Sequence, residues 1–131
     1  MLFTKEQDYA VRAVRALADM KQRHVKEICD SENIPVYFTY KILKKLERGG
    51  IVRAVRGREG GYILMKEPNN VSLLDIYRST GSKMLLNDCL KMGVKCENHD
   101  DDNHCHLREA LEEVQGSVLD MLGRATMDTL V

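Results

Sequence analysis

The apolar positions change period along the chain, and each change marks an element. Ala10, Ala13, Val14 and Leu17 recur at helical spacing. They follow Thr4-Lys5-Glu6-Gln7, a capping-box pattern with Thr at the N-cap and Gln three residues on. Together they predict an amphipathic helix over about residues 5–20. Val25 to Glu32 reads as a short second helix with Val25, Ile28 and Cys29 inward. Asn33-Ile34 makes a turn, and Pro35 suits the opening turn of a third helix because its φ is already fixed near the helical value. In that helix Phe38, Ile42, Leu43 and Leu46 fall on one face, and Gly49-Gly50 ends it with a residue free to take positive φ. Three short helices, the second and third joined by a tight turn, predict a helix-turn-helix.

The period then shortens. Ile51 to Arg56 and Tyr62 to Met65 are β-prone runs flanking Gly57-Arg58-Glu59-Gly60-Gly61, which predicts a hairpin and, in this position, a wing. Ser72 is placed to cap a helix over 73–79 with Leu73, Ile76 and Tyr77 apolar, and Gly81 ends it. Residues 81–105 show no period. From Leu107 the apolar positions run Leu107, Leu111, Val114, Val118, Met121 and Ala125, alternating steps of four and three as in a heptad seam. A helix of about 20 residues is about 30 Å long, more than so small a domain covers. Packing on a second copy, or across the first helix, would bury it. The expected fold is mainly α with a small β-hairpin wing: a winged helix-turn-helix plus a long C-terminal dimerisation helix.

Composition changes this picture only when it is divided. The 131 residues carry 20 Lys+Arg and 20 Asp+Glu, a net charge of zero. Residues 1–66 nevertheless hold a balance of +6 and residues 67–131 one of −6. Residues 33–58 contain seven basic residues against the single acid Glu47. Such a stretch is an electrostatic footprint for a polyanion, or else a solvated basic surface. Its placement on a helix-turn-helix favours duplex DNA. A major groove admits one helix whose amino-terminal part faces base edges, which puts Val36, Tyr37, Thr39, Tyr40 and Lys41 at or beside the bases. Lys44 and Lys45 suit phosphates, as do Arg56 and Arg58 at the wing tip, where an Arg also enters a minor groove. The two tyrosines have a plainer use as packing under the wing.

The longest run without Asp, Glu, Lys or Arg is the eight residues Asn33 to Tyr40, whereas a membrane-spanning helix needs roughly 20 apolar residues. Met1 to Asp8 already carries Lys5, Glu6 and Asp8 and lacks the pattern of a secretory signal. The expectation is a cytoplasmic protein with reduced thiols. Cys89, Cys96 and Cys105 all lie in the aperiodic segment, separated by six and eight residues. Zinc ribbons and fingers want pairs two to four residues apart, which are absent here. Three thiolates from one loop can hold three corners of an iron–sulfur cluster with the fourth ligand from elsewhere. Direct thiol switches, zinc, or three unligated cysteines remain open. His99, His104 and His106 add possible ligands, and Asp100-Asp101-Asp102 reads as a solvated acidic loop. Cys29 reads as core filler. No nucleophile–base pair or phosphate loop points to an enzyme. A module that docks a protein partner through its acidic half is the rival of another class.

Three stretches carry a family resemblance. They are Leu2-Phe3-Thr4-Lys5 with Asp8-Tyr9-Ala10-Val11-Arg12-Ala13; Ile34-Pro35, Phe38, Ile42-Leu43, Leu46 and Gly49-Gly50-Ile51-Val52; and Val55-Arg56-Gly57-Arg58-Glu59-Gly60-Gly61-Tyr62. With three spaced cysteines before a long helix, the chain resembles the Rrf2 family of bacterial winged-helix regulators, the IscR/NsrR group. The resemblance implies a homodimer with crossed long helices on a near-palindromic operator. It implies a repressor controlled by a cluster that responds to nitric oxide, redox or iron status. The IscR-like pattern has a His three residues after the last Cys, where this chain has Arg108, its nearest His being His106. The NsrR-like pattern uses an Asp in the first helix of the partner subunit, and Asp8 stands at that place. The implied ligand set is Cys89, Cys96, Cys105 and Asp8, and the implied cluster 4Fe–4S rather than 2Fe–2S. The corresponding division is 1–80 for the winged helix-turn-helix, 81–106 for the cysteine-containing loop and 107–131 for the dimerisation helix.

Overall fold

The computed structural model describes residues 3–93, 96 and 105–131. Its helices are α1 (Lys5–Ala16), α2 (Val25–Glu32), α3 (Val36–Arg48), α4 (Leu73–Ser79) and α5 (His106–Arg124), with strands β1 (Val52–Val55) and β2 (Gly61–Leu64) between α3 and α4. The helix starts follow the capping residues. The Thr4 N–H donates to Gln7 Oε1 at 2.7 Å. Ser72 and Asp75 satisfy each other reciprocally, Asp75 N–H to Ser72 Oγ at 3.1 Å and Ser72 N–H to Asp75 Oδ2 at 3.0 Å. α2 ends at Asn33, which takes the left-handed conformation (φ 53°) and turns the chain into Pro35 and α3. α1 stops at Ala16, short of the expected residue 20: from Leu17 the backbone bonds tighten to three-residue turns, and the chain reverses through Met20 at φ 64°. Leu17 is still fully buried.

α1, α2 and α3 pack around one core made by Ala10, Val14, Leu17, Ile28, Leu43 and Leu46. Cys29 is buried there, as its helical position suggested. Arg15 joins α1 to α2 by a two-pronged pair with Glu32, Nε–Oε1 3.0 Å and NH2–Oε2 2.6 Å. β1 and β2 pair antiparallel, Val52 opposite Leu64 and Val55 opposite Gly61. An isolated bridge was not foreseen: Arg23 and Tyr62 exchange backbone hydrogen bonds of 3.0 and 2.9 Å, which ties the wing to the α1–α2 connection. Gly61 permits this approach, since a Cβ there (φ 151°) would sit 2.2 Å from the Arg23 carbonyl oxygen.

The end of the chain returns to the same core. After α5 the backbone runs beside residues 71–73, Leu73 N–H donating to Ala125 O at 2.8 Å and Met127 N–H to Val71 O at 2.9 Å. The Met127 side chain is completely buried among core residues contributed from the first 76 positions. α5 itself contains no buried residue. Leu107, Val114 and Met121 on its expected seam are 63, 51 and 63% exposed, and Leu111 and Val118 are half-buried. No helix among the described residues is long and apolar enough to cross a membrane.

Candidate nucleic-acid interface

α3 presents its first two turns to solvent. Val36, Tyr37, Tyr40, Lys41 and Lys44 are exposed, as expected of base- and phosphate-facing positions. Thr39 and Phe38 exchange the places read from the sequence. Thr39, expected at the DNA-facing side, is 0% exposed, and its hydroxyl donates to Pro35 O at 2.8 Å, so it cannot reach a base. Phe38, expected in the core, is 52% exposed and rests between Tyr9 (ring centroids 6.3 Å) and Tyr37 (5.8 Å, edge-on). The physical reason is size. A small hydroxyl that donates to the preceding turn is accommodated in the buried position, while the larger ring stays at the rim against Tyr9. A Thr flanked by large apolar residues at the start of a helix, able to bond the carbonyl four residues back, was the available signal.

The cations divide in the same way. Lys41 lies over the Tyr37 ring at 4.7 Å and donates to its hydroxyl at 3.2 Å, which pre-orders an aromatic and a positive charge on the exposed face. Lys45, expected to serve phosphates, is instead engaged inside the chain. Its ammonium pairs with Glu6 and reaches Thr80 O at 3.4 Å. Arg53, Arg56 and Arg58 are exposed along the wing. The wing is fixed to the recognition helix by Glu47, whose Oε2 accepts from Ala54 N–H at 2.6 Å. Burial pushes the Tyr62 phenol above its ordinary range, so it stays neutral beneath the hairpin.

The cysteine segment begins at the end of α4 and is held against α5. The Leu86 N–H donates to Gln115 Oε1 at 3.0 Å, and Cys89 lies in a short 3-10 turn, Asp88–Leu90. Cys105 is the N-cap residue of α5. Cys89, Cys96 and Cys105 are half-buried and none forms a disulfide. Among the described residues no three His, Cys, Asp or Glu side chains converge into a metal site within one chain. Asp8 is half-exposed at the start of α1 and pairs with Arg12 at 3.2 Å. Arg108 pairs with Glu112 at 3.1 Å, and His106 is exposed beside Glu109 at 3.5 Å. His99, His104 and Asp100-Asp101-Asp102 lie outside the described residues.

Residues 3–131 match the family described as Rrf2, iron-dependent transcriptional regulator. The chain is 28% identical over 140 residues to the HTH-type transcriptional regulator NsrR of Bacillus licheniformis, covering 100% of this chain and 92% of that protein. Its fold is similar to T. potens IscR (TM-score 0.74, 23% identity, 99% of this chain and 85% of that one). It is equally similar to CymR, the global cysteine regulator of B. subtilis (TM-score 0.74, 21% identity, 99% and 95%). A helix-turn-helix with a paired wing, a basic exposed recognition face and a family match over nearly the whole length lead to one conclusion: the chain belongs to the Rrf2 family of winged-helix, DNA-binding transcriptional regulators.

Proposed function

We propose that this regulator binds an operator as a two-fold homodimer and that chemistry at Cys89, Cys96 and Cys105 controls the binding. The observation that carries the reading is a division of surfaces. An exposed aromatic and basic face on α3 and the wing stands apart from a thiol segment that joins α4 directly to α5. Val36, Tyr37, Tyr40 and Lys41 read base edges, while Lys44, Arg56 and Arg58 hold phosphates. The uncovered seam Leu107, Val114 and Met121 packs on its copy in a second chain, setting the two recognition helices about one helical turn of DNA apart.

The donor chemistry of the segment fits an iron–sulfur cluster: three thiols outside any disulfide, with carboxylate Asp8 half-exposed for the fourth position from the second copy. A bound cluster, on this reading 4Fe–4S, would supply a centre sensitive to nitric oxide, to oxygen and to iron supply. Cys89, Cys96 and Cys105 hold it, Gln115 keeps the segment on α5, and the α4–segment junction carries the change toward the DNA-binding unit. A single chain does not gather three donors among the described residues. That observation favours a second reading, in which the cysteines act as thiol switches without a cluster; CymR of B. subtilis is a global cysteine regulator, and the CymR of Staphylococcus aureus, a further structural neighbour, has an oxidised form.

Anaerobic purification followed by an absorption spectrum, with iron and sulfide analysis, separates the readings. A brown protein that loses its colour in Cys89→Ala, Cys96→Ala or Cys105→Ala but not in Cys29→Ala supports the cluster. A colourless protein whose operator affinity changes on thiol oxidation supports the switch. Colourless protein with an affinity indifferent to oxidation would rule out both.

A further inference from the structure

Gln7 is a polar side chain buried to 2% exposure at the start of α1, and every polar atom of its amide is used. Oε1 accepts from the Thr4 N–H and hydroxyl. Nε2 donates to Thr80 Oγ1 at 3.1 Å and to Ser82 Oγ. Thr80, the C-cap of α4 and itself buried, donates its hydroxyl hydrogen bond to Tyr77 O at 2.7 Å. The Thr80 carbonyl receives the Lys45 ammonium from α3, which also pairs with Glu6 of α1. One node therefore joins α1, the recognition helix, the end of α4 and Ser82, the second residue of the cysteine segment.

The packing around the node is tight where a signal would have to cross. A Cβ on Gly49 would lie 2.2 Å from Ser79 Oγ, so the end of α3 packs directly on the Ser79 side chain at the end of α4. At that contact the Ser79 hydroxyl is held by its bond to Asp75 O at 2.8 Å, so a displacement of Ser79–Ser82 strains it. It either moves α3 or breaks the buried bonds, and an unsatisfied buried amide is costly. Coupling between two sites requires an element with two discrete arrangements, which the making and breaking of these bonds would supply.

We propose that Gln7 and Thr80 are positioning residues that set the recognition helix according to the state of the cysteine segment, transmitting a shift of Ser82 through the Thr80 hydroxyl and carbonyl to Lys45. The proposal rests on the segment being the sensing element, and its test is arranged to separate the two. Hydrogen exchange of the full-length chain is compared for the wild type, Thr80→Val, Thr80→Ser and Ser82→Ala. Thr80→Val keeps the shape and removes the hydroxyl, and Ser82→Ala cuts the link to the segment at a half-buried position that leaves the fold intact. Faster exchange in Thr80→Val both at 81–86 and along α3, with Thr80→Ser restoring wild-type rates, is the expected result. Acceleration confined to 77–86, with α3 unchanged, overturns the junction. Operator affinity is then measured before and after the thiols are oxidised or iron is removed. Coupled switches usually show ratios of about 5–150-fold, and both Thr80→Val and Ser82→Ala should bring the wild-type ratio toward one. A wild-type ratio preserved in both variants overturns the coupling role. A wild-type ratio of one removes the sensing reading, and the exchange pattern then decides the junction by itself.

Discussion

Single residues decide how firmly the two ends of the chain hold together. Met127 lies 51 positions beyond Ile76, the last earlier member of the core, yet it is completely buried with it. Met127→Ala should leave a cavity and cost about 2–5 kcal/mol, read as a lower denaturant midpoint with an unchanged slope. A loss below about 0.5 kcal/mol, the range of a neutral surface change, would mean that Met127 does not pack as described. Asp19 makes a second residue-scale case. The Arg23 guanidinium bonds both its oxygens at 2.7 Å and holds its carboxyl down to about 2, against an ordinary 3.8. A depressed carboxyl contributes stability that is present above its ordinary value and lost as pH falls through the folded one. The stability difference between wild type and Asp19→Asn should be small, about 0.2–1 kcal/mol as for exposed pairs. It should be constant near neutrality and vanish between about pH 4 and pH 2. A difference that persists at pH 2 would assign the effect to something other than this pair.

At the scale of elements, the wing owes part of its position to a single backbone bridge outside the hairpin. Arg23 pairs with Tyr62, and the approach depends on Gly61. Gly61→Ala should push the hairpin from residues 21–24 and weaken operator binding, while melting of the rest of the chain changes little. Equal operator affinity in the two proteins would show that the bridge does not set the wing. The recognition helix yields a charge test. Lys44→Ala should reduce the slope of log affinity against log salt by about one for all sequences, whereas Tyr40→Ala should weaken the operator more than random DNA. Lys45→Ala, in contrast, should leave the salt slope nearly unchanged because its ammonium is already paired with Glu6.

At the scale of the whole molecule, the zero net charge is an average over a basic reading half and an acidic half that carries the thiols and the long helix. In a dimer two patches of +6 act together while the particle stays near neutral, which limits attraction to polyanions at large. Val114→Glu, on the exposed seam of α5, should convert the dimer to a monomer in sedimentation and weaken operator binding, with the winged unit still folded. A dimer that persists with wild-type affinity would place the interface elsewhere.

The helix-turn-helix and its wing were legible in the sequence because they rest on local rules. The span of α2 and α4, the turn at Asn33-Ile34 and the hairpin follow from capping, turn chemistry and periodicity, which act over a few residues. The inward face of α3 was read with Phe38 in and Thr39 out, and packing reversed them. A helical period fixes an angle to within about one residue, while the space left by α1 chooses which neighbour fits. The Arg23–Tyr62 bridge, the return of Met127 to the core and the Gln7–Thr80 bond join positions 39, 51 and 73 residues apart. No spacing rule reaches that far. The sequence by itself determined which elements exist and which chemistry they carry, since both reside in short stretches. Only the tertiary structure decided which of those side chains face water and which are held inside, because that choice depends on the volume left by segments distant in the chain.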